Sequence, residues 1–215
     1  MAPSLDPALD CPLCPRLVAF RVANRQAYPD WHNGAVPAFG DRDAKLLIVG
    51  LAPGLKGANR TGRPFTGDFA GDLLYTTLLE LGLARGKYGA NPKDGLELLG
   101  CRITNAVRCV PPENKPTTNE VAACGAFLKA EVKALGNLKI ILSLGRVSHE
   151  AVLKALAVRS KAAPFAHGAI HRLGEDKPTL IDSYHCSRYN TQTGRLTPAM
   201  FRQVVGQAVD RLKGR

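Results

Sequence analysis

The sequence lacks the features that would place the protein in or across a membrane. It has no apolar run long enough to span a bilayer and no apolar core of a signal peptide. We therefore expect a cytoplasmic protein with no membrane partner. Internal repeats and linker-like stretches are also missing from the 215 residues. The length and composition predict a single domain that spans residues 1–215.

Acidic residues are scarce compared with basic ones. The chain has 18 Asp and Glu residues against 29 Lys and Arg residues, which gives a formal net charge of +11 at pH 7. Such an excess of positive charge favours a polyanionic partner, and nucleic acid is the first candidate. The alternative at this point is that the charge serves solubility alone.

Several catalytic motifs are missing as well. There is no G-K-[ST] to complete a phosphate-binding P-loop, and no G-x-G-x-x-G dinucleotide fingerprint. His149 and Glu150 begin a metalloprotease motif that does not continue, so we interpret His149 as a helix-surface residue. The zinc-deaminase pattern, H-x-E before P-C-x-x-C, is absent in both spacing and order. These absences exclude the corresponding enzyme classes.

The six cysteines do not suggest a disulfide framework, because the expected compartment is reducing. Four of them form a pattern of one close pair and two separated residues: Cys11, Cys14, Cys109 and Cys124. Four thiolates can hold zinc or an iron–sulfur cluster, and this spacing favours the cluster only slightly. Cys101 and Cys186 lie in apolar segments and are interpreted as small core residues.

Four continuous apolar runs predict strands buried on both faces, at residues 45–51, 102–107, 139–144 and 179–184. Helical patterns separate them at residues 71–81, 117–135 and 146–157, and a last helix starts at Thr197 and Pro198. Thr117 and Glu120 form a capping box. Residues 1–25 also look helical, with Cys11 and Cys14 in the first turns. This alternation predicts an α/β fold, a three-layer α/β/α sandwich around a four-stranded parallel sheet.

The segments that follow the four strands hold most of the unusual residues. Parallel sheets bind ligands outside the carboxyl ends of their strands, so these segments should meet at one site. The first segment, residues 51–71, is rich in glycine. Phe65 in this segment could be a core residue or a stacking face for a base. Asp68 could be a helix cap or a catalytic acid. His185 directly follows the last strand. Arg188 and Arg195, close behind it, are candidate phosphate contacts or parts of a solvated loop.

Long stretches of the chain closely resemble family-five uracil-DNA glycosylases, the UDGb type. Residues 50–54 with 59–68 resemble the first motif of that family, residues 106–116 the second, and residues 183–196 the third. Residues 11–17 resemble its N-terminal cluster motif. Leu51 and Ala52 separate the chain from the cluster-containing family-four enzymes, whose first motif resembles Gly-Glu-Ala-Pro-Gly. Asn105, which precedes Ala106-Val-Arg-Cys109, resembles the family-four pattern instead.

The resemblance implies a monofunctional hydrolase that flips uracil out of double-stranded DNA and excises it, with hypoxanthine and xanthine as further substrates. It implies that Phe65 stacks on the base and that Asn114 binds the edge of the base. Asp68 would stabilise the sugar cation and orient water, and His185 would stabilise the departing base anion. We expect further substrate contacts from Gly50, Leu51, Ala52 and Asn105, and DNA contacts from Arg146, Ser187, Arg188, Asn190 and Arg195.

The resemblance also implies a structural [4Fe–4S] cluster bound by Cys11, Cys14, Cys109 and Cys124. We expect a monomer that initiates base excision repair and associates with the nucleoid when bound to DNA. Two other functions stay open at this point. One is a non-catalytic iron–sulfur module of the same fold that binds nucleic acid, and the other is a small nucleotide hydrolase that uses the same end of the sheet.

Overall fold

The computed structural model describes residues 5–214, which contain eight strands and seven α-helices. The strands are β1 (Phe39–Gly40), β2 (Leu46–Gly50), β3 (Ala84–Arg85), β4 (Glu97–Leu98), β5 (Cys101–Asn105), β6 (Ile140–Leu144), β7 (Ile170–His171) and β8 (Thr179–Ser183). The helices are α1 (Pro15–Ala27), α2 (Ala58–Thr61), α3 (Phe69–Glu80), α4 (Thr118–Ala134), α5 (Arg146–Ala155), α6 (Arg188–Gln192) and α7 (Pro198–Leu212). Short 3-10 turns lie at Pro112–Asn114 and Ser160–Ala162.

The central sheet has the strand order β1-β5-β2-β6-β8-β7. Its four middle strands are parallel and are the four that the apolar runs predict. The prediction of only four strands is wrong, because β1 pairs antiparallel with β5 at one edge and β7 pairs antiparallel with β8 at the other. Each edge strand has two residues, which is too short to produce a recognisable hydrophobic period.

Helices cover both faces of the sheet, which confirms the predicted α/β/α sandwich. Successive side chains of a strand point to opposite faces. Leu46 and Ile48 of β2 accordingly lie in the apolar layer that includes α3 and α7. Leu47 and Val49 lie in the layer formed with α1, α4 and α5. No helix within residues 5–214 is both long and apolar enough to cross a bilayer.

The starts of the helices agree with their capping residues in most cases. Thr117 and Glu120 form both hydrogen bonds of the predicted capping box at the start of α4. The prediction for the first helix needs correction, because α1 begins at Pro15 and Cys14 is its N-cap residue. Proline disfavours helical backbone at the residue before it. Cys14 precedes Pro15 and is extended, with φ −123° and ψ 92°. Cys11 therefore precedes the helix.

Candidate active site

A cavity of about 650 Å³ opens at the carboxyl ends of the parallel strands. Its walls come from the segments after β2 and β8, from the end of β5 and from the start of α3, as the position of these strand ends predicts. The segment after β6, which holds Arg146, does not contribute to the lining. The lining residues are Leu51, Ala52, Gly54, Lys56, Ala58, Phe65, Gly67, Asp68, Phe69, Ala70, Asn105, Asn114, His185, Ser187 and Arg188.

Phe65 belongs both to the core and to the cavity wall, so the two interpretations of its sequence context hold together. Its side chain is 7% exposed and packs in the apolar layer beneath the site. Its ring stacks near His185, with centroids 5.8 Å apart and an angle of 27° between the planes. Gly50 makes this approach possible, because a Cβ there would lie 2.5 Å from the Phe65 ring.

Two asparagines line the cavity, one at the end of β5 and one in the 3-10 turn that follows it. Asn105, the last residue of β5, is 3% exposed, and its Oδ1 has no hydrogen-bond partner among the described residues. A buried amide oxygen of this kind is unfavourable until a donor reaches it. Asn114 lies at the rim in the 3-10 turn after β5, is exposed, and has a left-handed backbone with φ 58°. Both asparagines, which were predicted to contact the substrate, therefore line the cavity, as do Leu51 and Ala52, whereas Gly50 does not.

Asp68 caps helix α3 and also lines the cavity, so its two possible roles coexist. Its Oδ1 accepts a hydrogen bond of 3.3 Å from the backbone N–H of Gly71. Its Oδ2 faces Gly54 and Gly57, where an added Cβ would lie 2.9 and 2.2 Å away. Burial raises the pKa of the Asp68 carboxyl, and the backbone N–H groups at the start of α3 oppose that shift. The acid is thus held in a tight glycine-lined cleft.

His185 follows β8 and lines the cavity. The residue is partly buried. Burial lowers the pKa of His185 to about 4. The imidazole is therefore neutral at physiological pH and can donate one N–H. Asn190 donates from Nδ2 to the His185 carbonyl oxygen at 2.8 Å and holds this backbone in place.

The predicted DNA contacts divide into three groups. Ser187 and Arg188 line the cavity mouth, where the Arg188 guanidinium lies 5.5 Å from the ring centroid of Phe69. Arg146 and Arg195 lie outside the cavity and stack on Phe165 and Tyr184. Asn190 donates to protein backbone, as described above. Contact with DNA stays a prediction for all five.

The four patterned cysteines converge on a second, small apolar cavity. Cys11 and Cys14 approach it from before α1, Cys109 from the segment after β5, and Cys124 from α4. The backbone N–H of Arg108 donates to Cys124 Sγ at 3.3 Å, and the buried Arg21 guanidinium approaches Cys109 Sγ at 3.9 Å. Within residues 5–214, no acidic or histidine side chain lines this cavity. The four thiols thus lie around one cavity, with the buried arginines Arg21 and Arg108 beside them.

The remaining two cysteines are core residues, as predicted. Cys101 and Cys186 are both fully buried in the apolar layer on the α3 and α7 side of the sheet. Burial raises the pKa of each thiol far above its ordinary value.

His149 is buried rather than on the helix surface, so that prediction is wrong. Its Nε2 donates to the Ala163 carbonyl at 2.9 Å, and its Nδ1 lies 2.8 Å from Asp182 Oδ1. His171 donates from Nε2 to Asp182 Oδ2 at 3.0 Å, and Ser143 donates to Oδ1 at 2.6 Å. Both oxygens of the buried carboxylate are engaged by these donors. This group of side chains therefore ties β6, β7, β8 and α5 together.

Comparison with known proteins agrees with this geometry. The model of the uracil DNA glycosylase superfamily matches residues 37–208. The chain belongs to this superfamily. It is 48% identical to the type-5 uracil-DNA glycosylase of Thermus thermophilus over 92% of both chains. It is 38% identical to the type-5 enzyme of Pyrobaculum aerophilum, over 93% of this chain and 88% of the relative.

The relatives also bear on the choice between the two cluster-containing families. A type-4 uracil-DNA glycosylase of Pyrobaculum aerophilum is 32% identical over 72% of each chain. The type-5 relatives are similar over more of their length and at higher identity. The predicted family-five resemblance is thereby confirmed, and with it the assignment of the domain to monofunctional DNA glycosylases.

Some residues of the superfamily site were not predicted individually. The lining residues within the predicted first segment that were not singled out are Gly54, Lys56, Ala58, Gly67, Phe69 and Ala70. Gly54 and Gly67 lie in the first motif, whereas the strand-end position was the signal for the other four. Behind them, residues 84–98 form the β3–β4 hairpin, which packs on the same segment. Its strands of two residues carry no periodic signal, so the sequence gives no indication of this support.

Proposed function

We propose that the protein hydrolyses the N-glycosidic bond of uracil in double-stranded DNA, and that it also removes hypoxanthine and xanthine. The observation that carries this proposal is the meeting of Phe65, Asp68, Asn105 and His185 around one cavity at the strand ends. A base buried in a duplex must leave the stack to reach such a cavity. The volume of about 650 Å³ is ample for a purine as well as a pyrimidine.

The first part of the reaction is capture of the flipped base. The ring of Phe65 offers a face for stacking, and stacking tolerates any base because every base has a π-face. Leu51, Ala52 and Ala58 supply apolar wall, and the cavity of about 650 Å³ leaves room for a base of either size. Asn105 and Asn114 offer amide groups, which can both donate to and accept from a lactam edge.

Bond cleavage produces opposite charges on the two fragments. The sugar gains positive character as the bond breaks, and the Asp68 carboxylate would stabilise it and orient the attacking water. The base leaves with negative charge, and the neutral imidazole of His185 would donate its N–H to that charge. Because the pKa of His185 is lowered to about 4, the group acts as a hydrogen-bond donor rather than as a preformed cation.

We also infer that Cys11, Cys14, Cys109 and Cys124 bind a [4Fe–4S] cluster. The all-sulfur ligand set and the neighbouring N–H donors fit the thiolate ligation and the hydrogen bonds to sulfur that such clusters require. The four cysteines are separate from the base cavity, since none of them lines it. The cluster would hold α1 against the segment after β5 and against α4, and it would supply no chemistry to base excision.

Metal analysis tests the cluster. The purified protein should be brown and contain about four irons per chain. Cys109→Ala should lose the metal, whereas Cys101→Ala, which removes a buried thiol outside the ligand set, should keep it. A colourless protein with one equivalent of zinc would refute this assignment.

Duplex DNA is the proposed macromolecular partner, and the protein would be found on the nucleoid when it is bound. We propose that it acts as a monomer. Release of free base from duplexes that contain one uracil, hypoxanthine or xanthine tests the activity. Binding of these duplexes without release of base would instead support a non-catalytic nucleic-acid-binding module.

A further inference from the structure

The segment that carries Phe65 and Asp68 has an unusual backbone. Phe65 has φ 52° and Gly67 has φ 91°, both in the left-handed region. Glycine tolerates that region, but a bulky residue such as phenylalanine is strained there. Strain of this kind persists only when surrounding groups hold it. The question is therefore which groups hold this turn.

Hydroxyl groups bind three consecutive carbonyl oxygens of the segment. Tyr75 Oη donates to Pro64 O at 2.6 Å, Tyr88 Oη donates to Phe65 O at 3.2 Å, and Thr61 Oγ1 donates to Thr66 O at 3.0 Å. Tyr88 makes a second contact, because its oxygen accepts from the Gly67 N–H at 3.3 Å. One hydroxyl thus bridges the backbone on both sides of Thr66, immediately before Asp68.

The hairpin that carries Tyr88 is itself anchored to the same segment. Arg63 and Asp94 form a bidentate ion pair at 2.9 and 2.7 Å, and both side chains are 5% exposed. The Arg63 hydrogen bonds hold the pKa of Asp94 well below its usual range. The Arg63 guanidinium also lies over the rings of Tyr75 and Tyr88, and its Nε donates to Thr66 Oγ1 at 2.7 Å.

We propose that Tyr88 is a positioning residue for base excision, which holds Phe65 and Asp68 in their working geometry through the backbone between them. The inference rests on the proposed function, because it assigns Tyr88 an effect on a reaction at that site. Tyr88 does not line the cavity, so it acts through other residues. Burial raises the pKa of Tyr88 to about 12, so the hydroxyl stays protonated and both of its hydrogen bonds persist throughout the neutral range.

Tyr88→Phe tests the proposal, because it removes the hydroxyl and keeps the ring. Single-turnover excision of uracil should slow about tenfold, as expected for the loss of two hydrogen bonds that orient reacting groups. Duplex affinity should be unchanged.

Asp94→Asn, which weakens the anchor of the hairpin, should also slow excision and leave duplex affinity unchanged. Two variants serve as matched controls and should retain the wild-type rate. Tyr28→Phe removes a tyrosine hydroxyl at the end of α1. Glu97→Gln removes an exposed ion pair on the same hairpin.

The double variant Tyr88→Phe with Asp68→Asn separates positioning from a merely structural role. If Tyr88 acts through Phe65 and Asp68, the Tyr88→Phe change should slow excision less in the Asp68→Asn background than in the wild type, because part of what it positions is already lost. Multiplying losses, or a parallel fall in duplex affinity and melting temperature, would overturn the proposal, and so would a wild-type rate for Tyr88→Phe. Absence of excision by the wild-type protein would instead overturn the proposed function itself.

Discussion

The Asp68 carboxyl group has two surroundings. One oxygen caps α3, and the other faces Gly54 and Gly57. Asn caps helices about as well as Asp. Asp68→Asn should therefore leave the melting temperature nearly unchanged while it removes the negative charge from the site. Electrostatic stabilisation of this kind is worth roughly a hundred- to a thousand-fold in rate, so we expect a loss of that order in single-turnover excision.

The size of that loss should depend on the leaving base. Uracil leaves more readily as an anion than hypoxanthine, so its excision should depend less on the acid. Duplex affinity, measured in parallel on each base, serves as the control and should stay close to that of the wild-type protein. An Asp68→Asn variant that excises every base at the wild-type rate would reduce Asp68 to a helix cap.

His185 should make the protein less stable as the pH falls. Its pKa is about 4 in the folded protein and near 6.5 in an unfolded chain. Between these values the unfolded state binds more protons, so stability is present above pH 6.5 and is lost as the pH falls toward 4. Urea unfolding at pH 7 and pH 5 should show a larger difference for the wild type than for His185→Asn. Equal differences would mean that His185 is hydrated in the folded state.

At the scale of the element, α6 presents the next candidate for function. This short helix begins at Arg188, shortly after His185. Its N-cap is Ser187, which lines the cavity. Tyr189 on its first turn is 71% exposed, although aromatic side chains are usually buried. Side chains that hold a duplex open insert apolar groups between base steps. We therefore predict that Tyr189 enters the duplex when the base leaves.

Tyr189→Ala should lower excision of uracil from duplex DNA about tenfold or more, because unstacking a base pair takes a few kcal/mol. Excision from single-stranded DNA should change little, since no stack needs to be opened there. Tyr189→Phe keeps the aromatic ring and should behave like the wild type. The same loss on both substrates would place Tyr189 in binding of the strand rather than in opening of the duplex.

The elements differ in how well the sequence predicts them. Long apolar runs such as Ile140–Leu144 identify strands because every residue is buried, and Thr117 and Glu120 mark a helix start by their own chemistry. Strands of two residues, such as Phe39–Gly40, can depend on partners far along the chain, here Arg102 and Ile103, and no local pattern reveals them. His149 shows the same limit, because only the fold brings Asp182 to within 2.8 Å of it.

Two signals in the sequence predicted the candidate site, namely the ends of the predicted strands and the resemblance to the family motifs. Phe65, Asp68, Asn105 and His185 each follow or end a buried apolar run and do line one cavity. Tyr88 and Asp94 support the site from a hairpin without regular pattern, so their role needs the tertiary structure. The inward hydrogen bond of Asn190 could not be distinguished in the sequence from an exposed phosphate contact.

At the scale of the whole molecule, the net charge of +11 should control affinity for DNA. Each phosphate contact releases counterions, so log affinity falls linearly with log salt. A protein that neutralises about four phosphates should give a slope of about −3.6. Binding of an undamaged duplex, measured between 50 and 200 mM salt as in that general relation, checks this. A flat dependence would mean that the positive charge does not lie on the DNA-binding surface.

The N-terminal segment makes several of its contacts with parts of the chain about a hundred residues away. Arg16 pairs with Glu120 at 2.7 Å, Arg108 pairs with Asp6 at 2.7 Å, and Cys14 shares its cavity with Cys124. During synthesis at roughly 5–20 residues per second, those partners emerge several seconds after the segment itself. This segment therefore emerges well before the residues that hold it in place. Cys11 and Cys14 stay without Cys109 and Cys124 throughout that interval.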